Sequence, residues 1–514
     1  MKQTAKRLIA AALSAVLLLL GACSQEPAEP GQPQKATTQP QPLEETQPGT
    51  VTLPLAHNDG LNPYVAKSTV NQALMPLLFD GLYRLDEAFE PQPVAAASGT
   101  VSGKTVAVTL NDAAVFSDGT PVTADDVTYS FRKAKKSDMY SARLAGFSSA
   151  SATGDGVVFA LTGSDAYALA CLTFPIVKQG TAEKDQELPI GCGRYVPEGE
   201  LPGAVLKASE NALHPTASVP EIHLYEVAET DGMPYGLEIG NYDFWLDDLS
   251  GGEYRRVNSG VAVVETTNLV YLAFNSGKSI FTEEPVRRAV SVLLSRDDLV
   301  SAGFQGHATA AALPFHPKWG AMANVASAVS LSGDPTGALE MLKAAGYTKI
   351  NGYGYRASTT KSLATNLVVC KDNAFKRACA RSIKAQLEKI NFHVHIIELG
   401  YKDYQKAIAK GEYEMYLGEI KLPGNMSLSA FFAAGGAAHT AVRDEDGVIC
   451  LAEYNALRAG EKSLSEFCAA FDEKTPFVPL CFRTGLAMTA RSIGGTVIAT
   501  ASDGFYSIES WQVK

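Results

Sequence analysis

The stretch FSDGTPVTADDVTYSF, residues 116–131, packs a turn, a helix start and two adjacent carboxylates into sixteen residues. Asp118-Gly119 fits a tight turn, and Pro121 stiffens the chain that follows. Thr123 and Asp126 stand at the spacing of a capping box, in which each side chain satisfies a backbone N–H of the other. Asp125 and Asp126 then lie over the positive end of the helix dipole, a contribution of about 0.3–1 kcal/mol each. Val127, Phe131 and Ala134 form one apolar face. The same two carboxylates could be read as an acid–base pair, but that work requires a cleft and a raised pKa. The spacing serves a helix start, so the pair is architecture.

Outward from this block, strand and helix patterns alternate. KTVAVTL (104–110) and GVVFALT (156–162) read as strands on either side of it, and TVTLPLA (50–56) as a first strand. VNQALMPLLFDGLYRL (70–85) predicts a helix with Gly81 near its end. EEPVRRAVSVLLSR (283–296) has Pro285 in its first turn and apolar residues at helical spacing. DPTGALEMLKAAGY (334–347) opens on Asp-Pro and closes on Gly346, and a third helix is expected over about 373–390. HVHIIEL (393–399), a helix from Tyr404 to Ala409 and EYEMYLGEI (412–420) read as a β-α-β unit with parallel pairing. Near the end a helix through SLSEFCAAFDEK breaks before Pro476, and a strand follows from about 478. The class is α/β.

The chain has 514 residues, of which 46% are hydrophobic and 19% charged, enough for about three domains. Its 44 basic against 55 acidic residues give a net charge of −11, and no basic cluster offsets it. A nucleic-acid partner is therefore excluded. Lys2, Lys6 and Arg7 precede a largely apolar run, Leu8–Leu20, too short to span a bilayer, and small residues lead to Cys23. Residues 1–22 are expected to be an export signal, and Cys23 a lipid-attachment site resembling the bacterial lipobox. The segment 24–50 holds six Pro and six Gln, so 23–50 reads as a lipidated, disordered tether. Seven cysteines remain, at 171, 192, 370, 379, 450, 468 and 481. One disulfide is possible, a disulfide framework is not, and small-hydrophobe packing is the simpler reading.

Motifs for catalysis do not assemble. NSGKS (275–279) lacks the earlier glycine of a phosphate loop, GCGRYV (191–196) lacks the third glycine of a dinucleotide turn, and G-x-S-x-G is absent. His393 and His395 alternate on one strand but lack a third ligand at metal spacing. No catalytic residue, metal or cofactor is assigned. Polar groups beside aromatics stand out instead: Trp245 with Asp247 and Asp248, and Glu419 inside the apolar YLGEIKL. A carboxylate placed like Glu419 is paired, at an edge, or facing a ligand, because burying it alone is costly.

LMPLLFDGLYRLD, FSDGTPVTADDVTYSF, PIGCGRY, GNYDFWLDDL, YLAFN, EEPVRRAVSVLLSRDDLV, ALEMLKAAGY and TPFVPLCFR together span nearly the whole chain after residue 50. In this order they resemble family 5 of the bacterial extracytoplasmic solute-binding proteins, the oligopeptide-, dipeptide- and nickel-binding lipoproteins of ABC importers. The resemblance implies a two-lobed periplasmic-binding-protein-like clamp with an additional inserted domain. Its first lobe would comprise 51–80, 186–268 and 488–514, its inserted domain 81–185, and its opposing lobe 269–487. It implies a monomer, lipid-anchored at the outer face of the cytoplasmic membrane, that captures a peptide or similar small solute and passes it to an ABC permease. Peptide binders of the family carry a Gly-Trp pair and a nearby Asp for the amino terminus; here Glu419 replaces the Trp and Leu422 the Asp. Trp245, Asp247, Asp248, Tyr271 and Glu419 are the residues expected to line the cleft. Two alternatives stand beside this reading: a nickel, metal-chelate or small-cation receptor of the same family, and a secreted, tethered hydrolase.

Overall fold

Two long strands organise the molecule. In the computed structural model, Gly260–Phe274 and Val478–Thr489 run antiparallel beside each other, and the second is buried along its whole length. The structure describes residues 49–184, 188–201, 203–228, 233–434, 436, 438, 442–444 and 447–514. The expected leader, Cys23 and the tether up to residue 48 lie outside the described residues. Among the described residues no helix is long and apolar enough to cross a membrane.

The early part of Gly260–Phe274 pairs with residues 485–489 and touches the first hydrophobic core through Val264. Its later part pairs with 478–483 on one side and with Met415–Lys421 on the other. Between the two parts the register slips at residues 265–267, a bulge that bends both strands. Two lobes meet there.

One mixed sheet forms the large lobe and continues past the bulge, in the order 244–247, 478–489, 260–274, 415–421, 364–370 and 393–399, with 308–310 beside 478–489. One hydrophobic core packs under helices Glu284–Leu293 and Ala374–Glu388, and another lies over the opposite face. The smaller lobe shares a single core between two four-stranded sheets. In one of these, Thr50–Ala56 runs parallel to Glu221–Val227. The other is antiparallel, in the order 96–102, 105–110, 156–161 and 147–153.

The helix beside that sheet, Ala124–Ala134, starts as its residues dictate. Thr123 Oγ1 accepts from the Asp126 N–H at 3.3 Å, and Asp126 Oδ2 accepts from the Thr123 N–H at 2.9 Å. The other Asp126 oxygen accepts from the Gln179 N–H at 2.8 Å, tying the helix to the next loop. Gly119, at φ +80°, makes the preceding turn.

Two sequence expectations need correction. The helix predicted over 70–85 stops at Leu78; Phe79 is extended, and Tyr83–Leu85 becomes a strand paired with 91–93. Beyond the stop the chain packs closely, since a Cβ on Gly81 would come 3.0 Å from the Thr173 backbone. The expected β-α-β unit is parallel but not adjacent: Ala364–Cys370 lies between its two strands and pairs with both. Its second strand starts at Met415 rather than 412. The seven cysteines at 171–481 are free and buried, which is the small-hydrophobe packing preferred from sequence, and the one possible disulfide is not formed.

Candidate functional site

The strand Met415–Lys421 carries the site because one of its edges is left bare. It pairs along its full length with 268–274, but on the other side only Met415 and Tyr416 pair, with Leu367 and Val368. From Leu417 onward no strand among the described residues covers that edge. A cavity of about 590 Å³ lies there, lined by Tyr271, Lys376, Tyr401, Tyr404, Glu419 and Lys421 among others. The Tyr404 hydroxyl donates to the Leu417 carbonyl at 2.7 Å. An unpaired strand edge beside a cavity can take an extended peptide as an added strand.

At its far end this strand reaches the space between the lobes. The bulge pins it: the Leu422 N–H donates to Thr267 O at 2.9 Å, and Thr267 Oγ1 donates to Leu422 O at 2.6 Å. A second cavity, of about 290 Å³, takes its walls from both lobes: Phe89, Asp138, Arg143 and Thr173 from one side, Lys421 and Leu422 from the other. An adjoining chamber of about 110 Å³ shares Arg143, Thr173 and Lys421.

The five residues expected in the cleft fall into two groups. Tyr271 and Glu419 line the strand-edge cavity. The Tyr271 ring lies over Gly418, where a Cβ would come 2.4 Å from it, and its hydroxyl is 3.1 Å from that of Tyr416. Burial raises the Tyr271 pKa far above the usual phenol value. Glu419 is saturated by its neighbours: Arg483 Nε donates to one oxygen at 2.8 Å, and Lys376 Nζ lies 2.9 Å from the other. Burial works against its charge, but the two cations outweigh this and hold the carboxyl below its ordinary range.

Trp245, Asp247 and Asp248 lie at or just beyond the edge strand Phe244–Asp247 and are not among the lining residues of these cavities. Trp245 packs on the large lobe's core with its indole N–H buried and without a hydrogen-bond partner. Asp247 Oδ1 accepts from the Leu249 N–H at 2.8 Å, and burial raises its pKa. Asp248 Oδ1 accepts from the Ser250 N–H at 2.9 Å. His393 stacks on Tyr355 with ring centroids 4.5 Å apart. Among the described residues no group of three or more His, Cys, Asp or Glu side chains could hold a metal ion.

Sequence reasoning passed over Arg143, Thr173 and Lys421. Lys421 stood inside a stretch already singled out, at the end of an apolar strand. Nothing local marked Arg143, which meets it only through the fold. Burial, and next the nearby Arg143 charge, lower the Lys421 pKa from the usual lysine value, while Asp248 pulls the other way.

Beside the cavities the lobes touch directly. Arg458 forms an ion pair with Asp165 and donates to Asn425 O at 3.0 Å, while Asn425 Nδ2 donates to Asp165 at 2.6 Å. Tyr167 packs edge-on against Trp319 at 4.9 Å, and Phe89 lies 4.7 Å from the fully buried His316 ring. Glu265, from the bulge, lies 3.2 Å from His316 Nε2 and 2.7 Å from Lys318 Nζ, and accepts from Thr309 at 2.8 Å.

With this geometry in place, comparison with known proteins is informative. Residues 90–435 match the middle region of the bacterial extracellular solute-binding proteins, family 5. The glutathione-binding protein GsiB of Salmonella paratyphi A is 24% identical over 306 residues, which cover 56% of this chain and 59% of that protein. The chain thus spans less than two thirds of this curated relative. Among solved structures, the nickel ABC transporter protein from Bacillus halodurans superposes with a TM-score of 0.70 at 19% identity, over 89% of this chain and 98% of that one. The oligopeptide-binding protein AppA of Bacillus subtilis, in complex with a nonapeptide, gives 0.59 at 17% identity, over 91% and 100%. At these identities the structures establish the fold.

Proposed function

The chain belongs to the bacterial extracellular solute-binding proteins of family 5, and from that premise we propose that it captures a peptide or similar small solute between its lobes for an ABC importer. One observation carries the reading: the bare edge of Met415–Lys421 opens on a cavity and leads into a second one walled by both lobes. An extended backbone laid on that edge would gain main-chain hydrogen bonds whatever its side chains. The long strands crossing at the 265–267 bulge supply the hinge about which the lobes would close. In this scheme 51–80, 186–268 and 488–514 form one lobe, 81–185 the domain inserted in it, and 269–487 the other.

Of the five expected residues, Tyr271 and Glu419 hold the wall of the strand-edge cavity. Trp245, Asp247 and Asp248 act on the edge strand behind it. Cys23 carries the lipid, residues 24–50 space the body from the membrane, and a monomer meets the permease. A protein of this kind would not alter its solute. The decisive experiment is X-ray scattering with and without solutes from a di- and tripeptide panel. The radius of gyration should fall with a bound peptide, and an unchanged profile with every solute would remove the receptor reading. Elemental analysis of untagged protein separates peptide from nickel or metal chelate, and intact recovery of the solute separates receptor from hydrolase. For the anchor, Cys23→Ser should move the protein from the membrane fraction to the medium or periplasm.

A further inference from the structure

We propose that the turn 86–90 is a latch between the lobes, and that withdrawal of Phe89 from its socket in the large lobe gates release of the solute. The release step rests on the receptor reading above, whereas the latch itself does not.

The turn joins two short paired strands of the smaller lobe, 83–85 and 91–93, yet its apex is buried in the other lobe. Phe89 is 3% exposed and belongs to a core of the large lobe whose other buried members all lie between Leu269 and Phe482. Its ring meets the fully buried His316 at 4.7 Å, and His316 in turn meets Phe482 of the long strand at 4.7 Å. Both imidazole nitrogens are engaged. Nδ1 accepts from the Lys318 N–H at 3.1 Å, which leaves the proton on Nε2, 3.2 Å from Glu265 in the bulge. The socket is thus tied to the hinge. A backbone bond across the lobes closes its other side, from the Gly320 N–H to Ala88 O at 2.9 Å. Glu90 lies so close over Gly320 that a Cβ there would come 2.5 Å from its carboxyl oxygen.

Phe89 adopts φ +58°, a left-handed backbone that a bulky residue rarely takes. Asp86 enforces it. Its carboxylate accepts from the Ala88 and Glu90 N–H groups at 2.8 and 2.9 Å and from Gln92 Nε2 at 2.7 Å. Its backbone carbonyl accepts from the Phe89 N–H at 3.0 Å. A strained apolar residue held out from one body into another makes a plug that is either seated or withdrawn. Leu85, Asp86 and Phe89 also line the 290 Å³ cavity that both lobes wall. A solute in that cavity packs against the inner side of the latch, and the lobes cannot part around it without Phe89 leaving the socket. Withdrawal turns the Phe89 ring and the covered face of His316 to water, which makes it the slow step.

The test uses Phe89→Ala and Phe89→Gly in the full chain. Both empty the socket, and glycine also takes the left-handed backbone without strain, so it keeps the turn folded where alanine does not. Without solute, X-ray scattering should give a larger radius of gyration for both than for the wild type. Hydrogen exchange at the Gly320 amide, which is bonded across the lobes, should be faster in both. With di- and tripeptides as the probe, stopped-flow dissociation should be at least about tenfold faster in both variants. Phe159→Leu, in the smaller lobe's own core, is the control for general loosening and should leave dissociation within about twofold. An unchanged radius with unchanged Gly320 exchange overturns the latch and leaves the receptor standing. A larger radius with an unchanged dissociation rate overturns the gating of release. If no peptide binds, the gating falls with the receptor reading, and the latch is decided by the radius and the amide alone. In the unmodified protein the Gly320 amide should exchange more slowly with peptide bound, and equal exchange would also overturn the gating.

Discussion

The smaller lobe meets the larger one in two neighbouring places, and the charges there are arranged in opposite ways. At the rim, Asp165 faces Arg458 and Asn425 in a closed set of bonds, with Tyr167 on Trp319 and Phe89 on His316 alongside. In the cavity, Arg143 and Lys421 line one space from opposite lobes, beside Asp86 and Asp138. The rim's charges are bonded to one another, whereas Arg143 and Lys421 have no carboxylate within ion-pair distance among the described residues. This contrast teaches how a clamp can discriminate. Contacts at the rim favour closure for any content, whereas the like charges of Arg143 and Lys421 work against it. A solute has only to change a small difference between these terms.

Breaking the rim should have the largest effect. Arg458→Met removes the donor to Asn425 and leaves Asp165 uncompensated in the closed form, so closure should lose about 3 kcal/mol or more. The radius of gyration of the solute-free protein should rise, and solute affinity should fall with it. An unchanged radius would mean that the rim does not hold the lobes.

The rim also has a pH dependence whose sign can be worked out. Burial opposes the Glu265 charge, but bonds from His316, Lys318 and Thr309 prevail and hold its pKa at about 2, against an ordinary 4.5. A carboxyl depressed in this way contributes stability that is fully present above about pH 4.5 and lost as pH falls towards 2. The difference amounts to about 3 kcal/mol when complete, and at pH 3 about 2 kcal/mol of it is gone. Urea midpoints at pH 6 and pH 3 should therefore fall further apart in the wild type than in Glu265→Gln. Equal pH dependence in the two would detach Glu265 from the stability of the bulge.

How far these regions could be read from sequence follows from the reach of the interactions. The Thr123–Asp126 box was legible because both partners lie three residues apart, and the helices at 284–293, 335–344 and 374–388 were legible from apolar spacing. Strand order was not. Ala364–Cys370 enters between 393–399 and 415–421 through pairings that no local pattern encodes. The 70–85 run kept its apolar spacing, yet its helix ends at Leu78 and 83–85 pairs as a strand with 91–93. For the site, Glu419 was visible as an acid in an apolar strand, but its partners Lys376 and Arg483 lie 43 and 64 residues away. Arg143 and Lys421, 278 positions apart, leave no trace of each other in the sequence. Charges that meet across a cleft are set by tertiary structure alone.

The smallest expected effect sharpens the contrast most, because it should run against the usual direction of mutation. Lys421→Met removes one of two facing cations, so the solute-free protein should close more readily rather than less. The gain should not exceed about 1 kcal/mol, since the ammonium reaches cleft water and is partly screened there. High salt should shrink the difference between variant and wild type. Rising pH should shrink it too: the Lys421 pKa is lowered, so the penalty is present at neutral pH and fades as pH climbs towards the ordinary lysine value near 10.5. Arg458→Met should show neither relief. If scattering found Lys421→Met more open than the wild type, the lysine would be holding the lobes together, and the cavity would be a second rim.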